Sequence, residues 1–212
     1  MNFTSQIKEY TNAPLTRHLL LDILQDYKRP NDKISDLIKQ GELISLRRGL
    51  YIPGTNSGLT IPNSFLIANH LRGPSYVSLE AALSYWGLIP ERTYEMSSVT
   101  IKTSKKYLTP IGRYSYQHLP APYYSFGIQR VEMAQNQFAL VASPEKALCD
   151  KIVLTTSINL RSAKQTRAFL HDDLRIDTTS LKELDIELIS TWLETAPKAS
   201  SLKMLISTIK EI

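Results

Sequence analysis

The stretch from residue 31 to residue 52 reads NDKISDLIKQGELISLRRGLYI and decides the fold of the N-terminal part of the chain. The apolar residues of its first half recur at helical spacing, at Ile34, Leu37 and Ile38. This spacing predicts a short helix with those three side chains in the core and Asn31 as its N-cap. Gly41 is expected one position beyond the helix end, because glycine adopts the positive φ that this position often requires.

The second half of the stretch predicts a β-hairpin. Two apolar runs, residues 43–46 and 50–52, flank Arg47-Arg48-Gly49, where Gly49 supplies the positive φ of a tight turn. Upstream, leucine and isoleucine at helical spacing predict an amphipathic helix over residues 15–27, followed by a turn at 28–30. The predicted order is helix, turn, helix and hairpin, which is typical of a winged helix-turn-helix domain.

The remaining sequence predicts a second, mixed domain. A turn-rich segment at residues 53–58 reads PGTNSG and is interpreted as a linker between a domain of residues 1–54 and a domain of residues 61–212. Helices are predicted at 64–71, after Ser78 and after Ser143, and strands at 76–77, 98–102, 112–118, 124–131 and 137–142. From about residue 158 the tail is predicted to be helical. The expected class is therefore α+β, with the winged helix followed by a mixed α/β domain that ends in helices.

Composition limits the classes of function. The 212 residues carry a net charge of +5, which is spread along the chain rather than collected in a basic tail. A basic surface for a polyanion must therefore be assembled by folding. The single cysteine, Cys149, excludes an internal disulfide and predicts a small core residue, and no secretory signal or membrane span is recognised. These features favour a cytoplasmic location.

The predicted winged helix favours binding to double-stranded DNA, since its second helix would enter the major groove. The residues predicted to contact DNA are Lys33, Ser35, Lys39 and Gln40 on that helix, Arg47 and Arg48 at the hairpin tip, and Arg17, Lys28 and Arg29 as braces on the backbone. Arginine suits phosphate oxygens or a narrow minor groove. The same side chains also suit an ordinary solvated face, and Asp32 and Asp36 would repel phosphate.

Six segments resemble the AbiEi-like antitoxins of type IV toxin–antitoxin and abortive-infection systems. In order they read LIKQGEL (37–43), LRRGLY (46–51), GPSYVSLEAAL (73–83), YWGLIP (85–90), TPIGRYSY (109–116) and ASPEKAL (142–148). The first two resemble the recognition helix and wing of the family, and together the segments span nearly the whole chain.

The resemblance implies a transcriptional autorepressor that binds inverted repeats in its own promoter. It also implies a C-terminal domain that acts as an antitoxin in antiviral defence. That domain would oppose a nucleotidyltransferase-like toxin without forming a stable complex with it. DNA contact is carried over to Arg47 and Arg48, and no cofactor is implied. Whether a dimer forms on the DNA is left open.

Two other functions stay open on the sequence. Glu80, Glu145, Asp150 and Lys102 would be the catalytic set of a nucleic-acid-processing enzyme, but Thr100 stands where a nuclease signature would place a carboxylate. No enzyme and no metal site are therefore expected. Residues 98–106 predict a basic strand and turn that either touches nucleic acid or protects a sheet edge with lysines. A protein-interaction adaptor is the third interpretation, favoured if the rest of the chain covers the outward helix face.

Overall fold

The computed structural model describes residues 3–212. Within them, a three-stranded sheet lies near the N-terminus, a six-stranded mixed sheet forms the middle, and helices make up the C-terminal part. The predicted α+β class and helical tail are therefore confirmed. Between residues 3 and 212, the helices are all too short or too polar to cross a membrane.

The N-terminal unit, residues 3–53, alternates helices with short strands. Its elements are α1 (Phe3–Ile7), β1 (Leu15–Thr16), α2 (Arg17–Ile23), α3 (Pro30–Lys39), β2 (Leu43–Arg47) and β3 (Leu50–Pro53). The strands are antiparallel in the order β1-β3-β2. Apolar residues from the helices and strands share one small core, which includes Ile7, Leu20, Leu37 and Leu43. Burying this core against the sheet stabilises helices that are too short to persist alone.

The helix predicted over residues 15–27 is shorter than its apolar pattern. Leu15 pairs with Tyr51 as part of β1, so the chain is extended where helix was predicted. The Thr16 hydroxyl accepts a hydrogen bond from the amide of Leu19, and this cap starts α2 at Arg17. Strand pairing with a distant hairpin has overridden a local helical pattern at Leu15.

The helix predicted from Asn31 is present as α3, but two details were wrong. It begins at Pro30, with Arg29 at the N-cap position and no side-chain cap. The Asn31 side chain instead accepts a hydrogen bond from Arg17. Ile38, predicted to face the core, is 36% exposed. The positive φ values predicted for Gly41 and Gly49 are confirmed, at 72° and 83°.

The six-stranded sheet has the order β6-β7-β5-β4-β9-β8. Its strands are β4 (Ser75–Val77), β5 (Glu95–Thr100), β6 (Lys105–Thr109), β7 (Gly112–His118), β8 (Ile128–Ala134) and β9 (Gln137–Ala142). The pairs β5–β7 and β4–β9 are parallel and the others antiparallel. The strand predicted at 124–131 starts later, because a 3-10 turn occupies Tyr123–Ser125. The basic strand and turn predicted over residues 98–106 was partly wrong. The predicted strand ends at Thr100 in β5, which is an internal strand, and residues 101–104 form a loop. Lys105 and Lys106, predicted to lie in the turn, begin the edge strand β6.

Helices cover this sheet and build the C-terminal part. They are α4 (Ser64–Leu71), α5 (Leu79–Tyr85), α6 (Pro144–Leu154), α7 (Ala163–Ala168), α8 (Thr178–Lys182), α9 (Ile186–Trp192) and α10 (Ala199–Lys210), with a π-helical turn at Phe169–Asp173. Helix α6 begins as predicted, since the Ser143 hydroxyl accepts from the amide of Lys146. Along α10, Leu202, Leu205, Ile206 and Ile209 are buried.

The β2–β3 hairpin belongs to two cores at once. Leu43 and Tyr51 pack in the small N-terminal core, whereas Leu46, Leu50 and Ile52 pack in the large one. The division into residues 1–54 and 61–212 stays a prediction. In the structure, the hairpin carries apolar packing from the N-terminal unit directly into the six-stranded sheet and its helices.

The segment predicted to be a linker packs against the end of α3. A methyl group on Gly54 would lie 2.1 Å from the carbonyl oxygen of Gly41, so only glycine fits this approach. The Asn56 amide donates to the carbonyl of Gln40 at 2.7 Å. This segment therefore holds α3 against the hairpin.

Candidate nucleic-acid interface

A short chain of hydrogen bonds joins the hairpin tip to the start of α3. The amide of Arg17 donates to the carbonyl of Gly49 at 3.0 Å. The guanidinium of the same arginine donates to Asn31 Oδ1 at 2.8 Å. Arg17, predicted to brace the DNA backbone, thus connects three elements of the protein and fixes the tip relative to α3.

The outward face of α3 is open to solvent along its length. Ser35, Lys39 and Gln40 are exposed, and so are Asp32 and Asp36. Lys39 Nζ lies 3.7 Å from Asp36, a surface ion pair with almost no net energy in water. This face is therefore uncovered, and Lys39 can leave its carboxylate at little cost when an anion approaches.

Three more of the predicted contact residues on or before α3 already have neighbours. Lys33 is half-buried, with Nζ 5.5 Å from the centroid of the Tyr27 ring. The Ser35 hydroxyl donates to the carbonyl of Asn31, and Arg29 lies 3.8 Å from Asp32 in an exposed pair. Lys28 is exposed. Lys33 is therefore the least accessible of these four side chains.

The two arginines of the hairpin tip differ in their surroundings. Arg47 Nε donates to the carbonyl of Leu71 at 2.9 Å, and its Nη1 donates to the carbonyl of Arg48 at 3.2 Å. Arg47 therefore ties the hairpin to the end of α4, although guanidinium donors remain for another acceptor. Arg48 is exposed, and its guanidinium forms no hydrogen bond or ion pair within residues 3–212.

The tip arginines open into a cleft of about 390 Å³ between the hairpin and the six-stranded sheet. Its lining residues, here called the cationic cleft, are Arg47, Arg48, Leu71, Arg72, Gly73, Lys102, Lys105 and Tyr107. Five of these are basic and none is acidic. Across the part of the chain that the structure describes, none of the five forms an ion pair. The positive charge of the cleft is therefore uncompensated.

Backbone carbonyls and a threonine hold the cleft cations in place. The Arg72 guanidinium donates to the carbonyl and hydroxyl oxygens of Thr103. Lys102 Nζ donates to the carbonyl of Gly73, and Lys105 Nζ lies 4.9 Å from the centroid of the Tyr107 ring. Neutral acceptors position these groups without cancelling their charge.

Sequence reasoning found part of this cleft and missed the rest. In the sequence, the tip arginines and the lysines of residues 98–106 are separate features on opposite sides of the predicted linker. The sequence gives no signal that Arg72 and Tyr107 belong to the same site. The missing information is the contact of β2 with β6, which joins the edges of the two sheets and has no signal in local sequence.

The carboxylates considered for catalysis are not brought together. Asp150 is fully buried in α6, whereas Glu80 on α5 is engaged by Lys151. Glu145 accepts from the Ser143 hydroxyl and from the amide of Asp185. Within residues 3–212, no three His, Cys, Asp or Glu side chains are grouped so as to hold a metal ion.

Asp150 belongs instead to a buried polar cluster. It lies 2.9 Å from Lys146 Nζ and accepts hydrogen bonds from the hydroxyls of Tyr76 and Ser78. Lys146 also donates to the carbonyl of Tyr123 and lies over that ring, 3.5 Å from its centroid. Ser78 is at the N-cap of α5 as predicted, but its hydroxyl bonds Asp150 and makes no cap. The cluster joins α6 to the sheet.

Burial sets the protonation behaviour of this cluster. Desolvation raises the pKa of Asp150 and lowers the pKa of Lys146, while their mutual contact opposes both shifts. Burial also raises the pKa of the Cys149 thiol, which fits the predicted core cysteine rather than a nucleophile. These groups are enclosed by protein, so the cluster does not offer a site to a substrate.

No protein-family model matches the chain. No curated protein shows significant similarity to it.

Proposed function

We propose that this protein is a DNA-binding transcriptional regulator whose N-terminal unit acts as a winged helix. The order α1-β1-α2-α3-β2-β3 contains the helix, turn, helix and hairpin expected of such a domain, which supports this proposal. In this arrangement α3 is the recognition helix and the β2–β3 hairpin is the wing. Lys39 and Gln40 then face the major groove, and Arg48 reaches the adjoining backbone or minor groove.

The observation that carries the proposal is the hydrogen-bonded link through Arg17. It fixes the hairpin tip at Gly49 to the first turn of α3 at Asn31. A duplex lying along the exposed face of α3 would then meet Arg48 without any rearrangement of the protein. The open outer face of α3 supports the same role and gives no support to an adaptor whose helix face is covered.

The finer role is that of an autorepressor and antitoxin, as the resemblance of six sequence segments implies. In this role the N-terminal unit represses its own promoter through inverted repeats. The mixed and helical remainder opposes a nucleotidyltransferase-like toxin in the cytoplasm without a stable complex. We propose no catalytic activity, because the separate partners of Glu80, Glu145 and Asp150 leave no cluster for metal-dependent cleavage.

Fluorescence anisotropy with a labelled duplex from the region upstream of the coding sequence tests DNA binding. The wild-type protein is expected to prefer this duplex over a scrambled one, with affinity that falls steeply as salt rises. Lys39→Ala with Arg48→Ala should weaken binding by roughly 1–3 kcal/mol per lost contact. The matched control, Lys182→Ala with Lys203→Ala, removes two exposed charges from α8 and α10 and should bind as wild type.

Equal affinity of the wild-type protein for the upstream and scrambled duplexes would contradict the proposal. Loss of binding in the control to the same degree as in the α3 and tip variant would also contradict it. In that case net charge alone, rather than the N-terminal unit, would govern the interaction. The antitoxin role has its own test, which is rescue of growth when a neighbouring nucleotidyltransferase gene is expressed.

A further inference from the structure

We propose that the cationic cleft holds backbone phosphates of the same DNA duplex, so that the six-stranded sheet supplies part of the DNA-binding surface. This inference rests on the proposed function and extends it beyond the N-terminal unit. It assigns phosphate contact to Arg72, Lys102 and Lys105, which lie outside residues 1–54.

The positive charge of the cationic cleft has no acidic partner in its lining. Five cationic side chains surround about 390 Å³, and no acidic residue lines it. These like charges repel one another. An anion bound between them is attracted to each cation and offsets this repulsion. The carbonyls of Leu71 and Gly73 hold Arg47 and Lys102 in place before any ligand arrives. The cleft is therefore preorganised for an anion.

The lining of the cationic cleft favours a phosphodiester over a free nucleotide. A nucleobase would need an open aromatic face, and Tyr107 is the aromatic residue of the cleft. Lys105 already lies over that ring, and Tyr116 packs at 88° to it with centroids 5.8 Å apart. The remaining lining is guanidinium, ammonium and backbone, which suits phosphate oxygens.

The cationic cleft is continuous with the proposed wing. Arg48 lies at the hairpin tip and also lines the cleft. Strand β2, which leads to the tip, contacts the edge strand β6, which carries Lys105. A DNA backbone that contacts Arg48 therefore lies beside further cations, which belong to the six-stranded sheet rather than to α3.

The test compares the full-length wild-type protein with Lys102→Ala/Lys105→Ala on the upstream duplex between 50 and 200 mM salt. Each lost phosphate contact lowers the slope of log affinity against log salt by about one. Raising the salt from 50 to 200 mM weakens binding by some factor in each protein. This factor should be about twelve times smaller for the double variant than for the wild type. Its preference for the upstream duplex over a scrambled one should be unchanged, because phosphate contacts carry no sequence information.

Two further measurements separate this role from a structural one. Lys105→Gln alone keeps the side-chain stem and breaks no hydrogen bond, so its fold should match the wild type and its slope should fall by about one. Ethylation interference should show phosphates that matter for the wild type and no longer matter for the double variant. Lys182→Ala/Lys203→Ala, which removes the same charge elsewhere, should keep the wild-type slope and pattern.

The outcomes are distinguishable. A wild-type slope and ethylation pattern in both cleft variants, while Lys39→Ala/Arg48→Ala loses binding, would overturn this inference and leave the proposed function intact. An equal fall in slope for the Lys182 and Lys203 control would also overturn it, because the effect would then follow net charge. Absence of any preference for the upstream duplex in the wild type would overturn both.

Discussion

Replacing Lys146 with methionine would break the most deeply buried ion pair of the described chain. Lys146 and Asp150 are both fully buried, one helical turn apart on α6, with Nζ 2.9 Å from the carboxylate. Methionine fills a similar volume without the charge. The substitution leaves the carboxylate of Asp150 in the core with only the hydroxyls of Tyr76 and Ser78 as donors.

The expected loss of stability is large. Removing one partner of a buried pair costs about 3–5 kcal/mol, because the other charge is left without compensation. For a chain of this length that loss lowers Tm by on the order of 10 °C. Lys146→Met/Asp150→Asn removes both charges and keeps an acceptor oxygen for the two hydroxyls. It should therefore recover about 2 kcal/mol or more of the loss.

The pH dependence of the single variant tests the cause. Burial raises the pKa of Asp150, and loss of the ammonium that opposes this shift raises it further. An acid with a folded-state pKa above its unfolded value of about 3.9 binds more protons when folded. The stability of Lys146→Met should therefore fall as pH rises from about 4 through the folded pKa.

Urea denaturation followed by tryptophan fluorescence, at several pH values from 4 to 8, measures both effects. The gap in unfolding free energy between wild type and Lys146→Met should be widest at neutral pH and narrow towards pH 4. A variant within about 0.5 kcal/mol of wild type at pH 7 would refute the reasoning, since that is the ordinary scatter of surface substitutions. A gap that widens on acidification would refute it as well.

Three further substitutions or labels test the packing around the same core. Gly127→Ala should destabilise the fold by about 1–2 kcal/mol because the backbone has a positive φ of 61° there. Overpacking should cost about 1–3 kcal/mol more, since the added Cβ would lie 2.6 Å from Lys146 Cβ. A urea midpoint equal to that of the wild type would contradict this. The thiol of Cys149 should react with a thiol reagent only at the rate of unfolding, because it is buried and burial raises its pKa; rapid labelling of the native protein would show that the core is open. Lys198→Met should lower the unfolding free energy by about 1–3 kcal/mol, because the Lys198 ammonium donates to three backbone carbonyls at and beyond the end of α6. The control Lys203→Ala, on exposed surface, should leave the melting temperature unchanged.

Much of the N-terminal unit could be predicted from local sequence. Gly41 indicates a helix end and Gly49 a hairpin turn, because few other residues tolerate the positive φ of these positions. The spacing of Leu15 predicts a helix, yet Leu15 pairs with Tyr51 in a strand far along the chain. Ile38 fits the apolar face of α3 by its spacing, yet it is 36% exposed in the fold.

The site was harder to predict than the fold. The arginines of the tip stand out in sequence, whereas their neighbour Arg72 follows an ordinary helix and has no local pattern around it. Lys146 and Asp150 have the spacing of an exposed helical ion pair, yet α6 is covered on nearly all sides. The place of Arg72 in the cleft and the burial of the Lys146–Asp150 pair both depend on contacts between segments that are distant in sequence. Local periodicity does not predict such contacts.

The most direct test of DNA binding by α3 and the hairpin tip is affinity cleavage from single introduced cysteines. Lys39→Cys and Arg48→Cys would each carry an iron chelate that cuts nearby DNA, while the buried Cys149 stays unlabelled. We expect both positions to cut the upstream duplex within about one helical turn, or 10 base pairs, of each other. Uniform cutting along the duplex, or cutting from neither position, would contradict the account.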